Sequence, residues 1–160
     1  ERKFLLRDES WRLRADAGVR LRQGYLSHNE KSSIRVRIGG RRAWLNIKSS
    51  TPGTVRSEYE YPLPPAEAEE MLAGLCRLPL IEKLRHHVEY GGFTWEIDVF
   101  NGANQGLVVA EIELAAIDQD FPRPPWLGVE VSAELRYYNS HLVSYPFCAW
   151  SAAEQQFGKP

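Results

Sequence analysis

The feature that most constrains this chain is a strict two-residue alternation of charged and apolar side chains. In SSIRVRIGGRRAWLNIKSS, residues 32–50, Ile34, Val36 and Ile38 alternate with Arg35 and Arg37. Beyond Gly39-Gly40, Ala43, Leu45 and Ile47 alternate with Trp44, Asn46 and Lys48. A period of two sends the two sets to opposite faces of a strand, and glycines between two such runs mark a hairpin. Runs of the same kind cover 1–6, 19–26, 55–61, 81–90, 93–100, 108–115 and 134–138, bounded by Gly, Asn, Ser or Pro. Gly91-Gly92 supplies a tight turn between two of them.

Two stretches change period. PPAEAEEMLAGLC, 64–76, has prolines at its entry, acidic residues in its first turn and Met71, Leu72 and Leu75 at helical spacing. NSHLVSY, 139–145, predicts a last helix stopped by Pro146, FPRPPWLG, 121–128, predicts a loop, and residues 147–160 read as a tail. The expected fold is α+β, mainly β: one antiparallel sheet, closed or nearly closed, with a few helices packed outside. The expected domain spans 1–146.

Sorting every strand by parity collects the charges on one side. That side carries Glu1 and Lys3; Arg35 and Arg37; Lys48; Arg56, Glu58 and Glu60; Lys83 and Arg85; Glu96 and Asp98; Glu111 and Glu113; and Arg136. The other carries Ile34, Val36, Ile38, Leu45, Ile47, Leu84, Val88, Trp95, Ile97, Val99, Ile112 and Leu114. A single strand of this kind is by itself a half-solvated antiparallel strand. The set says more. Arginine outnumbers lysine on the hairpin, which suits bidentate contact with oxyanions. The carboxylates come as the pairs Glu58/Glu60 and Glu111/Glu113, each offering oxygens from one face. With this side turned inward, dry burial would cost several kcal/mol per unpaired ion, so the interior is expected to hold water, metal and an anion. Carboxylate oxygens suit Mg²⁺ or Mn²⁺, and Arg and Lys suit a phosphate chain.

The chain is 26% charged with a net charge of −1, which disfavours a bare nucleic-acid backbone as partner. Cys76 and Cys148 form no C-x-x-C pair and read as free thiols of a reducing compartment. No apolar run is long enough to span a bilayer and no signal-peptide pattern opens the chain, so the cytoplasm is the expected location. His28, His86, His87 and His141 lack metal-binding spacing, and His86 and His87 point to opposite faces of one strand, which reads them as surface or core residues. No G-x-S-x-G or P-loop is present, and the tryptophans are too dispersed for base stacking.

The ordered blocks ERKFL, LRQGYL, SIRVRI, IKS, EYEYPL, EKLR, WEIDVF, EIEL, PPWLG and RYYN resemble the CYTH, or triphosphate tunnel metalloenzyme, family over residues 1–146, nearest its short bacterial inorganic triphosphatases. The resemblance implies an eight-stranded antiparallel tunnel that hydrolyses the terminal phosphoryl group of tripolyphosphate with Mg²⁺ or Mn²⁺, two ions being expected. By motif, Lys3, Arg35, Arg37, Lys48, Arg56, Lys83, Arg85 and Arg136 would bind phosphate oxygens. Glu1, Glu111 and Glu113, with Glu58, Glu60 and Asp98, would hold metal. Tyr25 resembles the family tyrosine at the substrate's terminal region, and Lys83 is the expected proton donor to the leaving oxygen. The family's opening motif is E-x-E-x-K; Glu1 and Lys3 match its second half, and the first glutamate falls two positions earlier. Tyr138 stands where close relatives tend to carry Lys, thinning the positive charge at one rim. Thiamine triphosphatase, a class IV-type adenylyl cyclase and a non-catalytic polyphosphate-binding module are the alternatives. A homodimer is compatible with the sequence but not specified by it.

Overall fold

The computed structural model describes residues 1–49, 57–116 and 118–158. Nine strands are present among them: β1 (Arg2–Leu6), β2 (Val19–His28), β3 (Ser32–Gly39), β4 (Arg42–Ser49), β5 (Glu58–Leu63), β6 (Ile81–Tyr90), β7 (Phe93–Asn101), β8 (Val108–Ile112) and β9 (Leu127–Glu130). They form a single antiparallel sheet in the order β5-β4-β3-β2-β6-β7-β8-β1-β9. Helix α1 (Pro65–Gly74) follows β5, and the short helices α2 (Asn139–Ser144) and α3 (Ala152–Gln156) end the chain. No helix among the described residues is long and apolar enough to cross a membrane, and Cys76 and Cys148 are free.

Glycine sets the two tightest hairpins. Between β6 and β7, Gly91 and Gly92 have φ of 61° and 83°, the conformation a two-residue turn of the twisted-ribbon type requires at both centres. Gly40, φ 59°, plays the part at the first centre of the β3–β4 turn.

The sheet is rolled. Lys48 on β4 acts electrostatically on Glu1 beside β1, although five strands lie between β4 and β1 in sheet order. The roll turns the charged parity inward. Outside, Ala68 and Leu72 of α1 bury against Val36 and Ala43. A second outer cluster joins Phe4, Trp95, Ile97, Ala110 and Ile112 to Trp11, from the short 3₁₀ helix Ser10–Arg14, and to Trp126, from the turn before β9. These two tryptophans therefore supply much of the cover expected of α-helices.

The sheet, expected to be eight strands closed or nearly closed into a tunnel, has nine, and no ladder joins edges β5 and β9 among the described residues. The ninth strand lies where the prolines predicted loop. Leu127–Glu130 pairs with the free edge of β1, and Gly128 allows the approach, because a Cβ there would stand 2.8 Å from the Leu5 carbonyl oxygen. The expected strand at 134–138 is instead a 3₁₀ turn, Leu135–Tyr137, which lets Tyr137 bury. Strand β8 stops at Ile112, so Glu113 lies just past it.

The inner face is not charged throughout. Leu5, Ile81, Phe100 and Val109 share its parity but lie toward one end, where Tyr137, Leu142, Val143, Phe147 and Trp150 cover them. Residues 147–160 were expected to be a tail, yet Phe147 and Trp150 bury in this apolar floor. A capping box between Ser151 and Glu154 starts α3 behind them.

Candidate active site

Register places the inner charges in rows. Lys3 lies opposite Glu111, Glu111 opposite Glu96, and Glu96 opposite His87. On the other wall Tyr25 lies opposite Arg35, Arg35 opposite Asn46, and Asn46 opposite Glu60. Each row is a consequence of alternation once the ladders fix which residues face each other.

Asp98 is the hub. Fully buried, it accepts from Lys83 Nζ and twice from Arg85, through Nε and Nη2 at 2.7 Å each. Arg85 also reaches Glu111 at 3.0 Å and bonds Glu96, so one guanidinium ties three carboxylates on two strands. Burial alone would raise the Asp98 pKa; the two cations outweigh it and hold the carboxyl well below its usual range. The same cations shape Lys83 differently. Burial and the neighbouring Arg85 charge push its pKa down against the pull of Asp98, because Lys83 shares its single close anion with Arg85. Lys3 is bonded to Glu111 and lies 3.5 Å from Glu1; these carboxylates overcome burial and raise its pKa.

On the opposite wall Arg37 reaches Glu60 at 3.1 Å, and Lys48 reaches Glu58 at the same distance. Glu58 and Glu60 of edge strand β5, expected as metal ligands, thus pair with cations of β4 and β3. The Nε atoms of Arg35 and Arg37 are buried without a hydrogen-bond partner among the described residues. Arg35 joins no ion pair among the described residues and interacts with the buried Tyr25 hydroxyl. Burial, then the Arg35 charge, depresses the Arg37 pKa, and Arg85 adds to the repulsion. Burial raises the Tyr25 pKa, so its hydroxyl keeps its proton.

A mirror image of this repulsion sits past β8. Burial raises the Glu113 pKa, and the Glu1 and Glu96 charges raise it further. One patch therefore crowds guanidiniums and another crowds carboxylates, and within them Arg37 and Glu113 are each shifted toward the neutral form. An oxyanion at the first and a cation at the second would relieve both. The crowded donors are all oxygens, the chemistry of a hard divalent cation held partly through water, and no three His, Cys, Asp or Glu side chains among the described residues already close into a metal cage.

Arg136 stands apart. Its guanidinium lies 5.0–5.3 Å from the Tyr137, Trp150 and Phe157 rings, with Glu134 and Glu154 at 3.8 and 3.7 Å. Among the described residues no ion pair joins it to the rows above. Arg56 lies outside the described residues. Sequence reasoning passed over Asn46, whose amide bonds Glu60 at 2.5 Å, and the buried Gln23, both on the charged parity. His87, read as a surface or core residue, has a side chain 40% exposed and bound by Asp16, a contact between residues too distant in sequence to be read there.

Residues 1–144 match the CYTH domain family. The chain is 44% identical over 147 residues to an inorganic triphosphatase of Acetivibrio thermocellus, covering 92% of this chain and 94% of the relative. It is 36% identical over 129 residues to an inorganic triphosphatase of Nitrosomonas europaea, covering 78% and 84%. The crystal structure of the inorganic triphosphatase NE1496 superposes with a TM-score of 0.65 at 32% identity, over 89% of this chain and 91% of that one.

Proposed function

The chain belongs to the CYTH domain family, and on that premise we propose that it is an inorganic triphosphatase, hydrolysing the terminal phosphoanhydride bond of tripolyphosphate on its inner charged face. The observation that carries the reading is the pair of like-charge patches. Arg37 is repelled by Arg35 and Arg85, and the buried Nε atoms of Arg35 and Arg37 have no hydrogen-bond partner among the described residues; on the other wall Glu113 is repelled by Glu1 and Glu96. A polyphosphate carrying a divalent cation neutralises both at once.

In this reading Arg35, Arg37 and Lys48 bind phosphate oxygens along one wall. Tyr25, protonated and beside Arg35, donates to an oxygen of the terminal phosphate. Glu1, Glu111 and Glu113 would hold Mg²⁺ or Mn²⁺, which when bound supplies charge neutralisation and activation of the attacking water. Water adds to the terminal phosphorus as the bridging P–O bond breaks, and Lys83 gives the departing pyrophosphate oxygen a proton. Its depressed pKa suits a proton donor, and reaching that oxygen requires Asp98 to loosen its grip. Arg85 holds the carboxylate wall in register. Arg136 is left out of the phosphate-binding set because rings and Glu154 already occupy it.

The test is phosphate release from tripolyphosphate, ATP and thiamine triphosphate, each with Mg²⁺, Mn²⁺ or chelator. Cyclic AMP is measured in the ATP arm. Metal-dependent orthophosphate from tripolyphosphate is expected, and Arg37→Ala should lower kcat/KM by about 10²-fold or more, the scale of a lost electrostatic contact to the transition state. Thiamine triphosphate or ATP as the preferred substrate, or metal-dependent binding without turnover, would replace the proposal.

A further inference from the structure

On β6 the inward row does not stop at Lys83 and Arg85; it continues to His87, directly opposite Glu96. The hydrolysis above makes no use of this imidazole. Asp16, in the turn before β2, holds it at three points. Asp16 Oδ2 lies 2.9 Å from His87 Nδ1, Oδ1 accepts the His87 amide at 3.0 Å, and the Asp16 amide donates to the His87 carbonyl at 3.2 Å. An ionised carboxylate only accepts, so Nδ1 carries the hydrogen, and in the neutral ring Nε2 presents its lone pair. That nitrogen lies 4.0 Å from Glu96 Oε1, while the other Glu96 oxygen is bonded by Arg85. Two acceptors thus face each other across a gap.

We propose that His87 Nε2 and Glu96 Oε1 form a binding site for a nitrogen-seeking divalent cation of the Zn²⁺, Co²⁺ or Ni²⁺ class, adjoining the all-oxygen patch at Glu1 and Glu113 through Glu96 and set apart from it by the imidazole nitrogen. A carboxylate on the far nitrogen is the usual way a protein fixes the tautomer and direction of a metal-binding histidine, and Asp16 does this. Donors at about 2.1 Å from such an ion span about 3 Å at right angles and about 4 Å when opposed, so the observed gap admits one with little movement. Glu113, whose carboxyl feels the Glu96 charge, adds negative potential nearby. Water, or a phosphate oxygen of bound substrate, completes the coordination. Imidazole nitrogen favours these ions over Mg²⁺, so the site discriminates by ligand type. The other histidine pair, His28 and His141, has rings 6.4 Å apart meeting edge to face and serves as the control.

The experiment uses the metal-free full chain with Zn²⁺ alone at pH 7.5, read by calorimetry and by ¹⁵N shifts of the histidine rings, and so does not depend on triphosphatase activity. The expected result is that Zn²⁺ moves the His87 Nε2 resonance while Nδ1 stays protonated. His87→Gln should weaken Zn²⁺ binding by at least 10-fold, Asp16→Asn by about 10- to 100-fold, and His141→Gln should change nothing. His87 resonances that ignore Zn²⁺, or His87→Gln binding Zn²⁺ as the parent does, would overturn the proposal. So would a doubly protonated His87 at pH 7.5 that Zn²⁺ leaves unchanged, which makes it an ion-pair bridge between Asp16 and Glu96. The ring shifts of the unsubstituted protein decide the matter even where a variant fails to fold.

Discussion

Asp98 has no exposed surface and holds two cations, one of them, Lys83, only 2% exposed. Removing its charge strands an ammonium in a site water barely reaches. Asp98→Asn should therefore destabilise the protein by about 3–5 kcal/mol, seen as a lower midpoint in urea. Glu58→Gln breaks the exposed pair with Lys48 and should cost no more than about 1 kcal/mol. The pH dependence follows from the same burial. The folded state holds Asp98 well below the ordinary carboxyl pKa, so on acidification the unfolded chain binds the proton first. The contribution is complete above the unfolded value of about 3.9 and is lost as pH falls through the folded one. Stability measured from pH 6 down to pH 2 should fall less steeply in Asp98→Asn than in the parent. Glu113 has the opposite sign. Its raised pKa means that ionisation opposes folding as pH rises through that pKa, so Glu113→Gln should raise the melting temperature at pH 7 in chelator and shrink the increment that Mg²⁺ adds.

At the scale of elements, the charged face depends on what closes its apolar end. Phe147 and Trp150 contribute to the floor beneath Leu5, Ile81, Phe100 and Val109, and Asn104 Oδ1 anchors the Phe147 amide at 2.8 Å. Phe147→Ala should open a cavity there and cost about 3–5 kcal/mol. Hydrogen exchange should report faster opening of β1 and β8, whose Leu5 and Val109 lose their cover. A disposable tail would show no such effect. The alternation that announced the strands was silent about this floor. Leu5 and Val109 belong to the same parity as Lys3 and Glu111, and a two-residue period separates faces, not the two ends of one face. The ninth strand escaped for a related reason: four residues after a run of prolines carry little pattern, and pairing with the free edge of β1 decides their conformation.

For the whole molecule, a rolled sheet with opposed like-charge patches should be stiffened by the ligand that neutralises them. Tripolyphosphate with Mg²⁺ at about 100 times its dissociation constant should add about 2.7 kcal/mol, a rise of roughly 5–10 °C in melting temperature for a domain of this size. Tripolyphosphate with chelator, or Mg²⁺ alone, should each give less than half that shift. Equal shifts with and without Mg²⁺ would mean that the carboxylate patch takes no part.

The sequence alone determined which side chains share a face. Peptide geometry sends alternate residues to opposite sides, so Lys3, Arg35, Arg37, Lys83, Arg85, Asp98 and Glu111 were bound to one another as soon as their strands were found. It also carried the ordered motifs of the family. Tertiary structure alone decided how that face is used: which carboxylate each cation holds, that Arg136 turns to the C-terminal rings, that Phe147 and Trp150 close the floor, and that Asp16 steers His87. Those choices join residues far apart in the chain, and they depend on the register, roll and burial of the folded sheet, which no local period encodes.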